Sequence, residues 1–209
     1  MKKIMFNDRY SLTKAVLEGR KTMTRRVARP LSSNINHMKY GYLEEGANMV
    51  DGRLIYRIGQ KLFVSTYRIG EVVAVAQSYH DIWSSMVDGT AHANQCYKFY
   101  REHQSSAGWS NKMFVRPDLM PHRIRITNIK VEQLQDIADW ECLAEGIVRA
   151  DLQVIGHETL YSTNNTPAEW YAESARTAYA TLIDKISGKG TWYKNPYVFA
   201  YTFELIKKS

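Results

Sequence analysis

The sequence has few cysteines and no long apolar run. Its 209 residues include two cysteines, Cys96 and Cys142, and neither stands in a C-x-x-C pair or beside a histidine cluster. A disulfide framework is thereby excluded, and neither a metal site nor a cofactor is expected. No segment has the length and apolarity of a membrane span, and MKKIMFNDRY lacks the apolar core of a signal peptide. We therefore expect a cytoplasmic protein with reduced thiols and no membrane partner.

Acidic residues are outnumbered by basic ones. There are 28 lysines and arginines against 21 aspartates and glutamates, which gives a formal net charge of +7. An excess of positive charge favours partners that carry phosphate, such as RNA or a nucleotide, but it does not specify a fold. The apolar fraction of 44% is ample for a buried core. Neither quantity indicates an oligomeric state.

The order of patterned segments indicates an α+β fold. Strand-like segments are expected at 3–6, 61–67, 71–79, 122–134 and 197–206, and helices at 9–18, at 139–145 and after the capping box that starts at Thr166 and Pro167. No regular βαβ alternation is present, so a closed or nearly closed sheet with flanking helices is favoured. We expect a single domain over 1–209, with polar loop insertions near 31–58 and 80–112.

The segment 122–134 carries the clearest strand pattern. Ile124 and Ile126 alternate with Arg123 and Arg125, so one face is apolar and the other basic. Farther along, the apolar positions shift by one residue near Thr127, which is typical of a β-bulge. Small barrels use such bulges to turn corners, and the pattern therefore favours a barrel.

The segment GRKTMTRR, residues 19–26, is the main functional candidate. As an extended strand it would place Thr22, Thr24 and Arg26 on one side and Lys21 and its alternates on the other. A lysine near a threonine hydroxyl can act as a base beside a nucleophile, or both can hydrogen-bond a phosphate or a base edge. A solvated basic hairpin without a ligand is a third interpretation of the same residues.

GRKTMTRR resembles the G-x-K-x-x-T-x-R signature of the ASCH superfamily. The resemblance extends through IGEVVAVAQSY, MPHRIRITNIKVEQLQDI, ECLAEGI and ISGKGTWYKNPYVFAYTFEL, which together cover roughly half of the chain in the family's order. It implies a small PUA-like β-barrel with flanking helices, and a cleft for RNA or for a nucleoside. The two polar insertions lie outside the matching blocks.

Within this superfamily, the amidohydrolases that act on acetylcytidine are thought to use a lysine, a threonine and a glutamate. The resemblance carries the first two onto Lys21 and Thr24, and it places the glutamate where this sequence has Arg125. An arginine can neither accept a proton nor neutralise a lysine. Glu71 or Glu132 could replace the carboxylate only if the fold brought one into the cleft, and Glu132 is expected to point outward.

Two functions follow as expectations. In the first, the chain binds RNA or a modified nucleoside or nucleotide in a basic groove. Besides Lys21 and Thr24, the residues of this groove would be Arg25, Arg26, Arg123 and Arg125, with Trp192 stacking on a base. In the second, Lys21 and Thr24 hydrolyse an amide on a nucleoside such as acetylcytidine. Trp192 could instead close one end of a barrel, and no histidine pair supports RNA cleavage.

Overall fold

A computed structural model describes residues 1–31, 43–89, 91–150, 160–163 and 171–206. The chain has an α+β fold, as expected. It divides into two compact units: unit one contains Met1–Phe6, Val72–Ile124 and Ile206, and unit two contains Asn7–Glu71 and Arg125–Leu205. The expected single domain is not tested by this division and stays a prediction.

The described residues contain ten strands and six α-helices. The strands are β1 (Lys3–Ile4), β2 (Met23–Val27), β3 (Gly46–Val50), β4 (Arg53–Ile58), β5 (Lys61–Val64), β6 (Val72–Val75), β7 (Arg123–Gln133), β8 (Val148–Ala150), β9 (Leu160–Ser162) and β10 (Tyr197–Ile206). The helices are α1 (Leu12–Leu17), α2 (Tyr79–Val87), α3 (Ala93–His103), α4 (Asp139–Ala144), α5 (Ala175–Ser187) and α6 (Thr191–Lys194). A mixed sheet of five strands has the order β1-β6-β7-β10-β2.

In unit one, β1 pairs in parallel with β6, and helices α2 and α3 follow. The expected loop insertion over 80–112 is therefore wrong in its secondary structure. The Ser78 side chain accepts from the Asp81 N–H and the Asp81 carboxylate accepts from the Ser78 N–H, a capping box that starts α2. Tyr79 and Ile82 then recur at helical spacing and enter the core of this unit.

In unit two, β10 pairs antiparallel with β2, placing Tyr201 opposite Thr24 and Ala200 opposite Arg25. Strands β3, β4 and β5 form a second antiparallel sheet, so the part of the expected 31–58 insertion that the structure describes is largely a β-hairpin. Its two-residue turn has Asp51 at φ 49° and Gly52 at φ 72°. Two successive positive φ angles are the requirement of a type I′ turn, whose twist suits a hairpin.

The described residues show no closed barrel, because the main sheet has β1 at one edge and β2 at the other. The bulge expected in β7 agrees with its burial, since Thr127 and Asn128 are both exposed and the buried positions shift phase there. Thr166 and Pro167 lie outside the described residues. Helix α5 begins at Ala175, where the Ser174 side chain accepts from the Thr177 N–H.

Candidate functional site

Lys21 lies in the interior of unit two, directly after α1. The turn at Gly19 (φ 75°) lets the Lys21 N–H donate to the Ala15 carbonyl oxygen at 3.0 Å, which fixes where the side chain leaves the backbone. Lys21 Nζ donates to Glu145 Oε2 at 2.6 Å and to the Glu145 carbonyl oxygen at 2.6 Å. The two side chains are only 2% and 5% exposed, so water hardly screens this ion pair.

Glycine at position 146 ends α4 beside the Lys21–Glu145 pair. Gly146 has φ 105°, a conformation that L side chains rarely adopt. A Cβ atom there would lie 3.0 Å from Leu12 Cδ2, which is tight, and 3.6 Å from Lys21 Cδ, which is an ordinary contact. The backbone conformation at Gly146 therefore favours glycine directly after Glu145.

Arg25 lies beside this pair and contacts three carboxylates. Its Nε donates to Glu132 Oε1 at 2.8 Å, its Nη2 to Glu141 Oε2 at 2.7 Å and its Nη1 to Glu145 Oε1 at 3.2 Å. The Arg25 side chain is 0% exposed. The fork of the guanidinium, which offers five donors, suits such a bridging position. The expectation that Glu132 points outward is therefore wrong, since Glu132 is only 11% exposed.

A third cation, the half-buried Lys130, completes a set of ion-paired side chains that we call the charge cluster. Lys130 Nζ lies 2.5 Å from Glu141 Oε1 and 2.7 Å from Glu132 Oε2. The members of the charge cluster are Lys21, Arg25, Lys130, Glu132, Glu141 and Glu145. Three cations and three carboxylates balance, so the cluster has no net charge to attract an anion.

Burial and pairing change the proton affinities in this cluster. Burial lowers the pKa of the Lys21 amine below its ordinary value, and this effect outweighs the opposing attraction of Glu145. Burial alone would raise the pKa of Glu141, but hydrogen bonds from Lys130 and the Ala138 N–H, together with the charge of Arg25, lower it. A lysine whose pKa is lowered has a larger neutral fraction and can accept a proton.

Thr24 is buried but lies on the other face of β2. Side chains alternate along a strand, so Thr24 faces away from Met23 and Arg25. Its partner across the sheet is Tyr201, whose hydroxyl accepts from the Thr66 N–H at 2.9 Å. The expected pair of Lys21 and Thr24 is thus divided between the charge cluster and the opposite face.

The remaining basic candidates do not share the surroundings of Lys21. Arg123 is exposed, and Arg26 is half-buried. Arg125 is half exposed, and its Nη1 donates to Glu204 Oε1 at 3.2 Å. The expected open groove thus lacks Lys21 and Arg25, which lie in the interior. It keeps Arg26, Arg123 and Arg125 as residues with some exposed surface.

Trp192 is packed within a set of helices. The Arg176 guanidinium lies 5.4 Å from the centre of its ring, and the Tyr179 ring meets it edge-on at 6.3 Å. Its carbonyl oxygen accepts from Gln135 Nε2 at 2.8 Å. These contacts agree with the interpretation that Trp192 packs against its neighbours, and the indole is only half-buried.

Unit one contains a pocket of about 550 Å³ that we call the aromatic pocket. It is lined by Trp83, Val87, Ala91, Ala93, Cys96, Tyr97 and Tyr100. None of the sequence-based site candidates lines it. Its volume falls in the range of small-molecule sites, but it lacks the convergent titratable groups that chemistry requires. We therefore place the candidate site at Lys21 and Glu145.

Glu141 and Glu145 were not among the site residues predicted from the sequence. Both belong to ECLAEGI, where the sequence predicts a short helix over 139–145 that ends at Gly146, and that helix is present as α4. The available signal was a pair of glutamates four residues apart on a short helix, followed by a glycine that ends it. Two carboxylates at that spacing lie on one face of the helix, where a basic segment can meet them.

In comparisons with known proteins, no protein-family model, no curated protein and no solved structure matches the chain. The similarity to the ASCH superfamily consequently rests on the residues quoted above. In the described ranges no helix combines the length and the apolar character needed to cross a membrane. Across the same described ranges, histidines, cysteines, aspartates and glutamates form no group of three or more that could hold a metal ion.

Proposed function

We propose that the chain is an ASCH-like hydrolase that binds a modified nucleoside and cleaves an amide on its base, as in acetylcytidine. The same proposal includes a PUA-like barrel as the fold and the cytoplasm as the location. One observation carries the functional part: a buried lysine amine donates to a glutamate carboxylate at 2.6 Å. The resemblance implies such a carboxylate, and Glu145 supplies it in place of position 125.

The pair of Lys21 and Glu145 suits proton transfer. Because burial lowers the pKa of Lys21, its amine can lose a proton more readily than an exposed lysine. A carboxylate at hydrogen-bond distance can hold that proton and return it. Lys130, which is less buried and is bound by two other glutamates, lacks this combination.

Hydrolysis with this pair balances as follows. The oxygen of a water molecule forms a bond to the acyl carbon of the substrate, and the pair takes up one of the water protons. The bond between the acyl carbon and the base nitrogen then breaks, and the nitrogen receives a proton. The products are the free nucleoside and a carboxylate. We assign the nucleophile to water because Thr24 faces away from Arg25 on β2.

The burial of the pair sets a condition on catalysis. Lys21 and Glu145 are 2% and 4% exposed, so a substrate reaches them only after the site opens. Opening and closing steps of this kind limit turnover in many enzymes. We therefore expect a turnover rate that depends on mobility near the site as well as on chemistry.

Binding of RNA in an open basic groove has weaker support. Lys21 and Arg25 are ion-paired in the interior, and Arg125 is partly neutralised by Glu204. Contacts to phosphate require exposed cations that can release counterions. In this proposal RNA is a molecule that carries the modified nucleoside and is not the ligand of an open basic groove.

The test is incubation of the purified protein with acetylcytidine and measurement of released cytidine and acetate. Lys21→Ala and Glu145→Gln should each lower kcat/KM at least about 100-fold, because each removes one half of the proton-transfer pair. Lys130→Met is the matched control, since it removes a cation of the same cluster that does not touch Glu145. Absence of activity in the wild-type protein, or full activity in Lys21→Ala, would refute the proposal.

A further inference from the structure

Among the described residues, the buried hydroxyl of Tyr179 has no hydrogen-bond partner. The residue lies on α5 and is 2% exposed. In the part of the chain that the structure describes, no donor or acceptor lies within hydrogen-bond distance of Tyr179 Oη. Buried hydroxyls are nearly always paired, because burying one without a partner costs stability. An unpaired hydroxyl in the core therefore requires an explanation.

The position of Tyr179 links it to the candidate site. Helix α5 packs against α4, the helix that carries Glu141 and ends at Glu145. The charges of Glu145 and Arg25 both act on the Tyr179 hydroxyl. The Tyr179 ring also meets the Trp192 ring edge-on at 6.3 Å. The hydroxyl is thus a buried polar group close to the charge cluster.

The Tyr179 hydroxyl keeps its proton at neutral pH and can therefore act as a hydrogen-bond donor. Burial is the main reason that the pKa of Tyr179 lies well above its ordinary value, and the charge of Glu145 acts in the same direction. The proton consequently stays on the oxygen. A neutral donor that no protein acceptor uses is suited to an oxygen that gains negative charge during a reaction.

We propose that the Tyr179 hydroxyl is the third polar group of the Lys21–Glu145 site and donates a hydrogen bond to the acyl oxygen of the substrate. This inference rests on the proposed function. When water adds to the acyl carbon, the electron pair of the C=O bond moves to that oxygen. The hydroxyl stabilises the resulting charge without transferring its own proton, and the charge returns to the carbonyl bond when the C–N bond breaks.

The test is the kinetics of Tyr179→Phe on acetylcytidine, beside the wild-type protein and Lys21→Ala. Loss of one donor to a developing oxyanion lowers kcat roughly 100-fold, and we expect a change of this size with little change in KM. The melting temperature should stay the same or rise, because phenylalanine removes the unpaired hydroxyl. Tyr79→Phe, a buried tyrosine in unit one, is the matched control and should keep wild-type kcat.

The outcomes separate the two proposals. If the wild-type protein releases no cytidine, the proposed function fails and this inference fails with it. If the wild-type protein is active and Lys21→Ala is not, but Tyr179→Phe keeps wild-type kcat, only the inference fails. A change confined to KM would likewise overturn it, because the hydroxyl would then not act on the charge that develops during the reaction.

Discussion

The charge cluster of unit two and the aromatic pocket of unit one differ in how they treat charged and apolar side chains. The cluster pairs six ionisable side chains of opposite charge, five of them largely buried and the sixth, Lys130, 40% exposed. The pocket has no charged residue in its lining and leaves aromatic and aliphatic surface open, with Tyr97 63% exposed and Val87 52% exposed. The comparison shows that a net charge of +7 does not indicate where a binding site lies. The cations of the cluster, Lys21, Arg25 and Lys130, are neutralised by glutamates.

The largest expected effect tests whether the cluster depends on Arg25 for stability. Arg25→Met removes a cation that contacts three buried carboxylates and should lower the free energy of unfolding by about 3–5 kcal/mol. Urea unfolding followed by circular dichroism measures the change. The matched control is Arg125→Met, whose half-exposed pair with Glu204 should cost at most about 1 kcal/mol.

Equal losses in the two arginine variants would show that burial does not strengthen the Arg25 contacts. A second variant, Arg25→Met combined with Glu141→Gln, sharpens the comparison. It removes the charge of one of the three carboxylates that lose their contact with Arg25, so it should recover part of the lost stability.

The next effect in size is the contribution of Glu141 to the dependence of stability on pH. The folded state lowers the pKa of Glu141 below the ordinary value of 4.5. The ionised form therefore stabilises the fold above pH 4.5, and that contribution is lost as the pH falls through the lower folded value. Glu141→Gln should remove this part of the acid transition when unfolding is measured from pH 7 to pH 2.

The curves of wild-type protein and Glu141→Gln should approach each other at the acid end of this range, because the wild-type carboxyl is then protonated as well. A constant difference between the two curves at every pH would contradict this expectation. Val87→Gln in the pocket is the control, since it adds a polar side chain without a titratable group and leaves the Glu141 interactions intact.

The elements that could be predicted are those with a local apolar pattern. Strand β10 has the bounds expected from its continuous apolar run over 197–206, and β7 covers nearly all of 122–134. The helices of unit one were missed because Ala93–His103 is mostly polar and only Cys96 of that helix is buried. Helix α2 begins with a capping box at Ser78 and Asp81, and this local sequence pattern is typical of a helix start.

Of the proposed pair, Lys21 could be predicted from the sequence and Glu145 could not. Lys21 was identified from its own neighbours, because a basic segment after a short helix is visible locally. Its partner Glu145 is 124 residues away in the chain, and no periodicity encodes a contact over that distance. The same applies to Tyr179, whose helical pattern predicts burial but does not indicate that its hydroxyl lacks a partner.

The smallest expected effect concerns the aromatic pocket alone. A neutral fluorescent probe such as N-phenyl-1-naphthylamine should bind there, since the pocket of about 550 Å³ is lined by apolar and aromatic side chains. Val87→Glu places a charge in the lining and should weaken probe binding several-fold, as measured by fluorescence titration, while stability changes by less than about 0.5 kcal/mol. Met113→Glu, at an exposed apolar residue outside the pocket lining, should leave probe binding unchanged. Equal weakening in both variants would show that the probe binds to exposed apolar surface in general. The pocket would then not be a distinct apolar site that can be contrasted with the charge cluster.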